Sequence, residues 1–257
     1  MSAFTEKVGS LLVIVAILAG LELVVHAGLL DERHFPPPTE VADALVDQMG
    51  DPALAEEIGQ TLQGWGLGLA LAAALALPLG IAIGCSQIAY RVLRGPIELM
   101  RPVPSVAFVP LVVLTLGSGL EGKVFLVAFA AFWPLLIHAI YGVRGIDPLL
   151  LETARSLGIG PLTRFGRIVV PGAMPYVATG LRTASAIALI LSVTAEIVIG
   201  APGLGHSISL AGAAGATPDM YGLIAVAGAL GWGLNALLSR LERRVLPWRA
   251  AWTGVEE

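Results

Sequence analysis

Apolar residues run along this chain in blocks too long for a strand or a surface helix, and polar residues gather in the gaps between them. Crossing about 30 Å of hydrocarbon takes about 20 helical residues. Six blocks reach or approach that length: 8–30, 62–85, 103–120, 124–143, 174–200 and 221–238. They predict an all-α, polytopic membrane protein with six transmembrane helices in a single domain, 1–257. The first block could also be a cleaved signal segment, but its length and the acidic Glu6 beside Lys7 favour a retained span. The second carries Gly64, Gly66, Gly68, Gly80, Gly84 and Pro78, and small residues of this kind let helix backbones approach closely in lipid.

The gaps carry their own signals. Pro36, Pro37 and Pro38 stop the first helix, and Thr39 followed by Glu40 predicts the cap of a short amphipathic helix whose apolar face is Val41, Leu45 and Val46. From Pro36 to Tyr90 there is no Lys or Arg, while Glu40, Asp43, Asp47, Asp51, Glu56 and Glu57 are acidic. Two readings fit this segment, a solvated helix on the membrane surface or a docking face for a partner. The gap after the fourth block predicts a helix capped by Asp147, with Pro148 in its first position, where a proline's missing N–H costs nothing. Leu149, Leu150, Thr153 and Leu157 cover one side, and Gly158 ends the helix in a left-handed conformation. A second short helix over 162–170 follows, closed by Pro171. Two short helices lying along a membrane form a platform that another protein can grip.

Composition and charge turn this layout into a topology. The chain is 56% hydrophobic and 13% charged, with a mean hydropathy of +0.83, far from the balance of a water-soluble domain. Of its fifteen Lys and Arg, only Arg33 and Lys123 fall on the side opposite the other thirteen when six spans alternate. The positive-inside rule then puts both termini and the 147–171 platform in the cytoplasm. The single cysteine, Cys85, excludes an intramolecular disulfide and a cysteine-rich metal site.

The stretch GSGLEGKV, 117–124, nearly matches a phosphate-binding loop, but Val124 replaces the Ser or Thr that would reach magnesium. It lies between two spans on the outer side, so the sequence predicts a glycine-rich turn with Lys123 at headgroup level. Ionisable residues inside spans are costly and point to function by default. Glu22, His138 and Glu196 qualify. Ser192 and Glu196 are four residues apart and share a helix face, so candidates for a solute pathway are Ser192, Thr194, Glu196, Pro104 and His138. For Glu196 two roles stand level, an outer gate or solute contact and a carboxylate joining two helices.

The platform resembles the EAA signature of ATP-binding cassette (ABC) importer permeases, through Glu152, Thr153 and Ala154, then Gly158, Ile168 and Pro171. Thr153 stands where the signature usually has alanine. RPVPSVAFVPLVVLTLG, GVRGIDPLLLETARSLG, RIVVPGAMPYVATGLR, TAEIVIGAPGLGHSI and LLSRLERRVLPW together resemble permeases of the nitrate, sulfonate and taurine import family over about two thirds of the chain. The resemblance implies a type I importer in a bacterial inner membrane. It implies a second permease copy, a cytoplasmic ATPase dimer seated on the helix at Pro148, and an extracytoplasmic solute-binding protein. ATP and Mg would be bound by the ATPase; for this chain it implies no cofactor, metal or nucleic acid, and membrane lipid as surroundings. Apart from Arg182 near the inner edge, the middle portions of the spans hold no basic residue. That scarcity leaves a pyrimidine or thiamine precursor open beside an oxyanion substrate. An ion-gradient carrier using Glu22 and Glu196 has no internal repeat in its favour.

Overall fold

In the computed structural model, which describes residues 3–246, every regular element among the described residues is helical. Pro247, Trp248 and Arg249, which the sequence reading used for its closing motif and charge balance, lie outside the described residues. The elements are α1 (Ala3–His26), α2 (Pro38–Met49), α3 (Pro52–Cys85), α4 (Gln87–Met100), α5 (Val109–Leu116), α6 (Leu120–Arg144), α7 (Pro148–Ser156), α8 (Pro161–Arg164), α9 (Val170–Ile199), α10 (Leu204–Ala213) and α11 (Thr217–Val245). Four stretches are long and apolar enough to cross a membrane: α3, α6, α11, and the run from Pro161 to Ile199. A bent pair brings the number to five. Of the six spans the sequence predicts, four or five are long and apolar enough by this measure among the described residues, and α1 adds the shorter apolar stretch Leu12–His26.

The centre is a three-helix slab of α3, α6 and α9. Positions 64, 68, 72, 76, 80 and 84 of α3 are Gly, Gly, Ala, Ala, Gly and Gly, all buried. This small-residue stripe of period four lies against α6. A Cβ placed on Gly64 would strike Lys123, on Gly68 Val127, on Gly80 Ala139 and on Gly84 Val143. The numbering offset is 59 residues at every contact, so α3 and α6 run parallel. On α9 the order reverses, with Gly142 against Ala173, His138 against Gly180 and Lys123 against Glu196. Gly66, predicted with the packing glycines, meets nothing within 4 Å. Lipid offers no hydrophobic drive for helix association, so this close contact, backed by Ala131, Ala184 and Ala188 at 0% exposure, is what holds the slab.

Four sequence-based boundaries change. The expected third span, 103–120, is a 3-10 turn, Ser105–Phe108, running into the eight-residue α5, and it meets α4 at a 79° bend. Pro102 and Pro104 lie in the break and keep the helix from continuing. Pro171 does not close a separate helix. A π-turn over Phe165–Val169, in which Val170 N–H donates to Phe165 O, leads straight into α9 and absorbs the donor that Pro171 lacks. Thr39 is not the cap of α2: Pro37 is, and the carboxylate of Glu22 on α1 accepts from Thr39 Oγ1 (2.8 Å) and Thr39 N (3.2 Å). On that helix Val46 is 68% exposed rather than part of the apolar face. Finally, α10 occupies a segment in which the sequence predicts no helix. Gly200 (φ 71°) and Gly203 (φ 143°) turn the chain back so that its ten residues pack on α11, α9 and α3.

Candidate functional site

Two regions at opposite ends of the slab gather the residues singled out in the sequence. The first is the platform. Asp147 Oδ1 accepts from Leu149 N at 2.8 Å and Pro148 fills the first helical position, so the start of α7 is capped. At its other end Gly158 N–H donates to Arg155 O (2.9 Å) and Ile159 N–H to Ala154 O (3.0 Å), with Gly158 at φ 72°. That pair is a Schellman motif, which satisfies carbonyls a helix end leaves open. Thr153 Oγ1 donates to Leu149 O at 2.8 Å and keeps this small polar side chain on its own helix.

Ala154 is buried and Leu151 half-buried, which seats one side of α7 on the bundle. Glu152 is exposed, and Leu149, Leu150 and Leu157 face outward at 66%, 50% and 73% exposure. The base is stiff. A Cβ on Gly142 would touch Ala173 and Tyr176 of α9, and one on Gly145, just past α6, would touch the Tyr176 ring. Pro171 lies half-buried at the start of α9, away from the α7 surface.

The second region corrects the reading of GSGLEGKV. Its glycines do form a turn, with Gly117 at φ 79° closing α5 and Gly119 opening α6. Lys123, however, is not at headgroup level. It lies one turn into α6, points into the slab and is 2% exposed. Its three donors are all used, by Gln60 O (2.9 Å), Pro202 O (2.9 Å) and Glu196 Oε1 (3.0 Å). Glu196 is fully buried. Its Oε1 also accepts from Ser192 Oγ (3.4 Å), and its Oε2 accepts from Thr61 Oγ1 (3.0 Å) and Gly205 N (2.9 Å). Thr61 Oγ1 accepts in turn from Leu204 N, and the single hydroxyl hydrogen of Ser192 is shared between Glu196 Oε1 and Thr61 O (3.2 Å).

A buried ion pair is tolerated only where such further hydrogen bonds compensate for the lost water, and here α3, α6, α9 and the turn into α10 all contribute. A Cβ on Gly203 would overlap the Glu196 carboxyl, and one on Gly205 would lie 2.8 Å from Glu196 Cβ. The glycines of the APGLG stretch therefore fit around this carboxylate. Sequence reasoning missed Lys123, Thr61, Gly203 and Gly205. The available signal was charge: Lys123 was one of only two basic residues on the acidic side of the chain, and an acid lay in a neighbouring span.

The five pathway candidates do not converge. Ser192 and Glu196 belong to the network. Thr194 Oγ1 donates to Ile190 O of its own helix, and Pro104 precedes the turn before α5. His138 packs on Gly180 with Nδ1 2.7 Å from Pro134 O. Arg182 reaches α11, with Nη1 3.8 Å from Glu242 Oε2 and 3.4 Å from Ser239 Oγ. Glu22 is the hook between α1 and α2 described above.

Known proteins agree with this architecture. Residues 76–250 match the family described as binding-protein-dependent transport system inner membrane component. The chain is 32% identical over 225 residues to the taurine transport system permease protein TauC of Escherichia coli (strain K12), covering 86% of this chain and 82% of TauC. It is 30% identical over 168 residues to the nitrate import permease protein NrtB of Leptolyngbya laminosa, covering 65% of this chain and 60% of NrtB. Among solved structures, the MetNI methionine ABC transporter in inward-facing conformations superposes with a TM-score of 0.66 at 18% identity, over 75% of this chain and 96% of that one, a likeness of fold. With the family matched over more than half its length and the helical slab in place, the chain belongs to the binding-protein-dependent transport system inner membrane components, the permease subunits of ABC importers.

Proposed function

We propose that two copies of this chain form the pathway by which a small oxyanion, of the sulfonate, taurine or nitrate class, enters a bacterial cell after delivery by an extracytoplasmic binding protein. The observation that carries the coupling half of this reading is α7, capped at both ends, seated through Ala154 and presenting Leu149, Leu150 and Leu157 away from the bundle. A helix fixed at both ends transmits a push, and an exposed leucine face suits burial in a groove of a cytoplasmic ATPase dimer. In this reading Asp147, Pro148 and Gly158 keep the helix rigid, Glu152, Thr153 and Ala154 set its seating, and Pro171 starts the span that receives the motion. ATP and Mg stay on the ATPase, and this chain binds no cofactor.

The charge distribution supports an orientation with α7 and both termini in the cytoplasm and the Lys123–Glu196 network near the outer face. There the network acts as a latch holding the α9–α10 turn onto α3 and α6, and Ser192 and Glu196 serve the pathway by shaping its outer end rather than by touching solute. The names of the relatives, taurine and nitrate permeases, support the oxyanion class.

The test is reconstitution of the chain with its ATPase and binding protein in proteoliposomes. Leu149→Glu and Leu157→Glu should abolish solute-stimulated ATP hydrolysis and uptake while the permease stays in the membrane at normal abundance. Unchanged stimulation in both variants would remove α7 as the coupling element. Uptake of taurine, an alkyl sulfonate and nitrate, each with its binding protein, separates the members of the oxyanion class.

A further inference from the structure

Beneath the platform, α7 and α8 overhang the ends of α3 and α6 and enclose a cleft of about 350 Å³. Three arginines line it, Arg144 from the last residue of α6, Arg155 from α7 and Arg164 from α8, and its walls include Val143, Ile146 and Leu151. Among the described residues no carboxylate lines the cleft, and none pairs within 4.0 Å with any of these guanidinium groups. The nearest acids on the loop are otherwise placed: Asp147 is the cap of α7, and Glu152 is exposed outside the lining. Arg144 stacks on the Tyr90 ring at 3.9 Å, which uses the face of its guanidinium and leaves its N–H edge to donate.

Three cations that share one apolar-walled cleft without an acid repel one another, and an anion relieves that repulsion. The cleft also lies where helices leave the hydrocarbon, since it is framed by Gly84 and Cys85 at the end of α3 and by Arg144 at the end of α6. Basic pockets between spans at this height suit lipid headgroups. We propose that Arg144, Arg155 and Arg164 hold the phosphate of an anionic phospholipid in this cleft, with its glycerol and first methylenes against Ile146 and Leu151. The guanidinium N–H edges donate to the phosphate oxygens, and because Arg155 belongs to α7 the lipid ties that helix to the membrane plane. The site is independent of the transported solute.

The full-length chain, purified in nanodiscs of equal phosphatidylglycerol and phosphatidylcholine and then analysed by native mass spectrometry, reads the lipid retained. Wild type should carry phosphatidylglycerol in clear preference. The double variant Arg155→Gln/Arg164→Gln should lower that preference by about fivefold for each arginine removed. Arg155→Lys/Arg164→Lys, which keeps the charge, should retain most of it and guards against a misfolded Gln variant. The pair Arg240→Gln/Arg243→Gln, on α11 and outside the cleft, should leave the preference intact. Equal retention of the two lipids by wild type, or no loss in the Gln double variant, overturns the proposal. Excess inorganic phosphate should fail to strip the lipid; full displacement, with phosphate alone binding in phosphatidylcholine nanodiscs, would assign the cleft to a soluble oxyanion and overturn it as well.

Discussion

The two ends of the slab treat charge in opposite ways. At the Lys123 end every donor of the ammonium and both oxygens of Glu196 are engaged within one chain, and glycines close the backbone around them. At the α7 end the capping groups are engaged, but leucines face outward and three arginines have no acidic partner among the described residues. The first arrangement fixes four segments relative to one another. The second leaves its chemistry for molecules outside the chain. A buried polar cluster and an exposed apolar helix are each costly alone, and their separation to opposite ends lets one hold shape while the other makes contact.

The largest effect should come from breaking the closed end. Lys123→Met removes the cation and leaves Glu196 buried without it, which costs about 3–5 kcal/mol. Unfolding in mild detergent, followed by loss of helix signal, should show that drop, while the double variant Lys123→Met/Glu196→Leu should recover most of it. A single variant as stable as wild type would mean that water reaches the carboxylate.

Glycines sharpen the contrast. At Gly203 a side chain meets both a left-handed backbone angle and the Glu196 carboxyl, so Gly203→Ala should cost about 1–3 kcal/mol. At Gly158 the angle is also positive but the space is open, so Gly158→Ala should cost about 1 kcal/mol. Equal losses in the same unfolding assay would show that crowding around Glu196 relaxes freely. A smaller change in stability, with a larger one in function, is expected for Asp147→Ala. Loss of a cap costs about 0.5–2 kcal/mol, felt locally at α7, so stimulation of the ATPase should fall while the midpoint of global unfolding barely moves. The smallest effect should be Glu22→Gln, which weakens two hydrogen bonds to α2 and should change stability by about 1 kcal/mol or less.

How much of this could be read beforehand depended on whether a feature was local. The cap at Asp147 and the turn at Gly158 are set by residues within a few positions of one another and stand where the sequence puts them, as do all the packing glycines of α3 except Gly66. Lys123 and Glu196 are far apart in the chain, and their pairing needs the parallel register of α3 with α6 and the antiparallel register of α9. No short motif encodes either. Pro171 misled for a related reason: a proline stops a helix only if the preceding turn cannot widen, and the π-turn at Phe165–Val169 widens it. The α10 helix was hidden by its length, too short to span and too apolar to resemble a surface helix.

The matched four-residue spacing of α3 and α6 also restricts how the permease can change shape. Small residues at 64, 68, 80 and 84 each seat one residue of α6, as teeth seat in a rack. Any slip between the two helices is zero or one full tooth, about 6 Å at 1.5 Å per residue. A full step of α3 would also pull Gln60 O off Lys123 and Thr61 off Glu196, so α3 and α6 are expected to move together as one beam. Spin labels at Leu71 and Phe125, both exposed, should report a single distance with and without ATP on the partner.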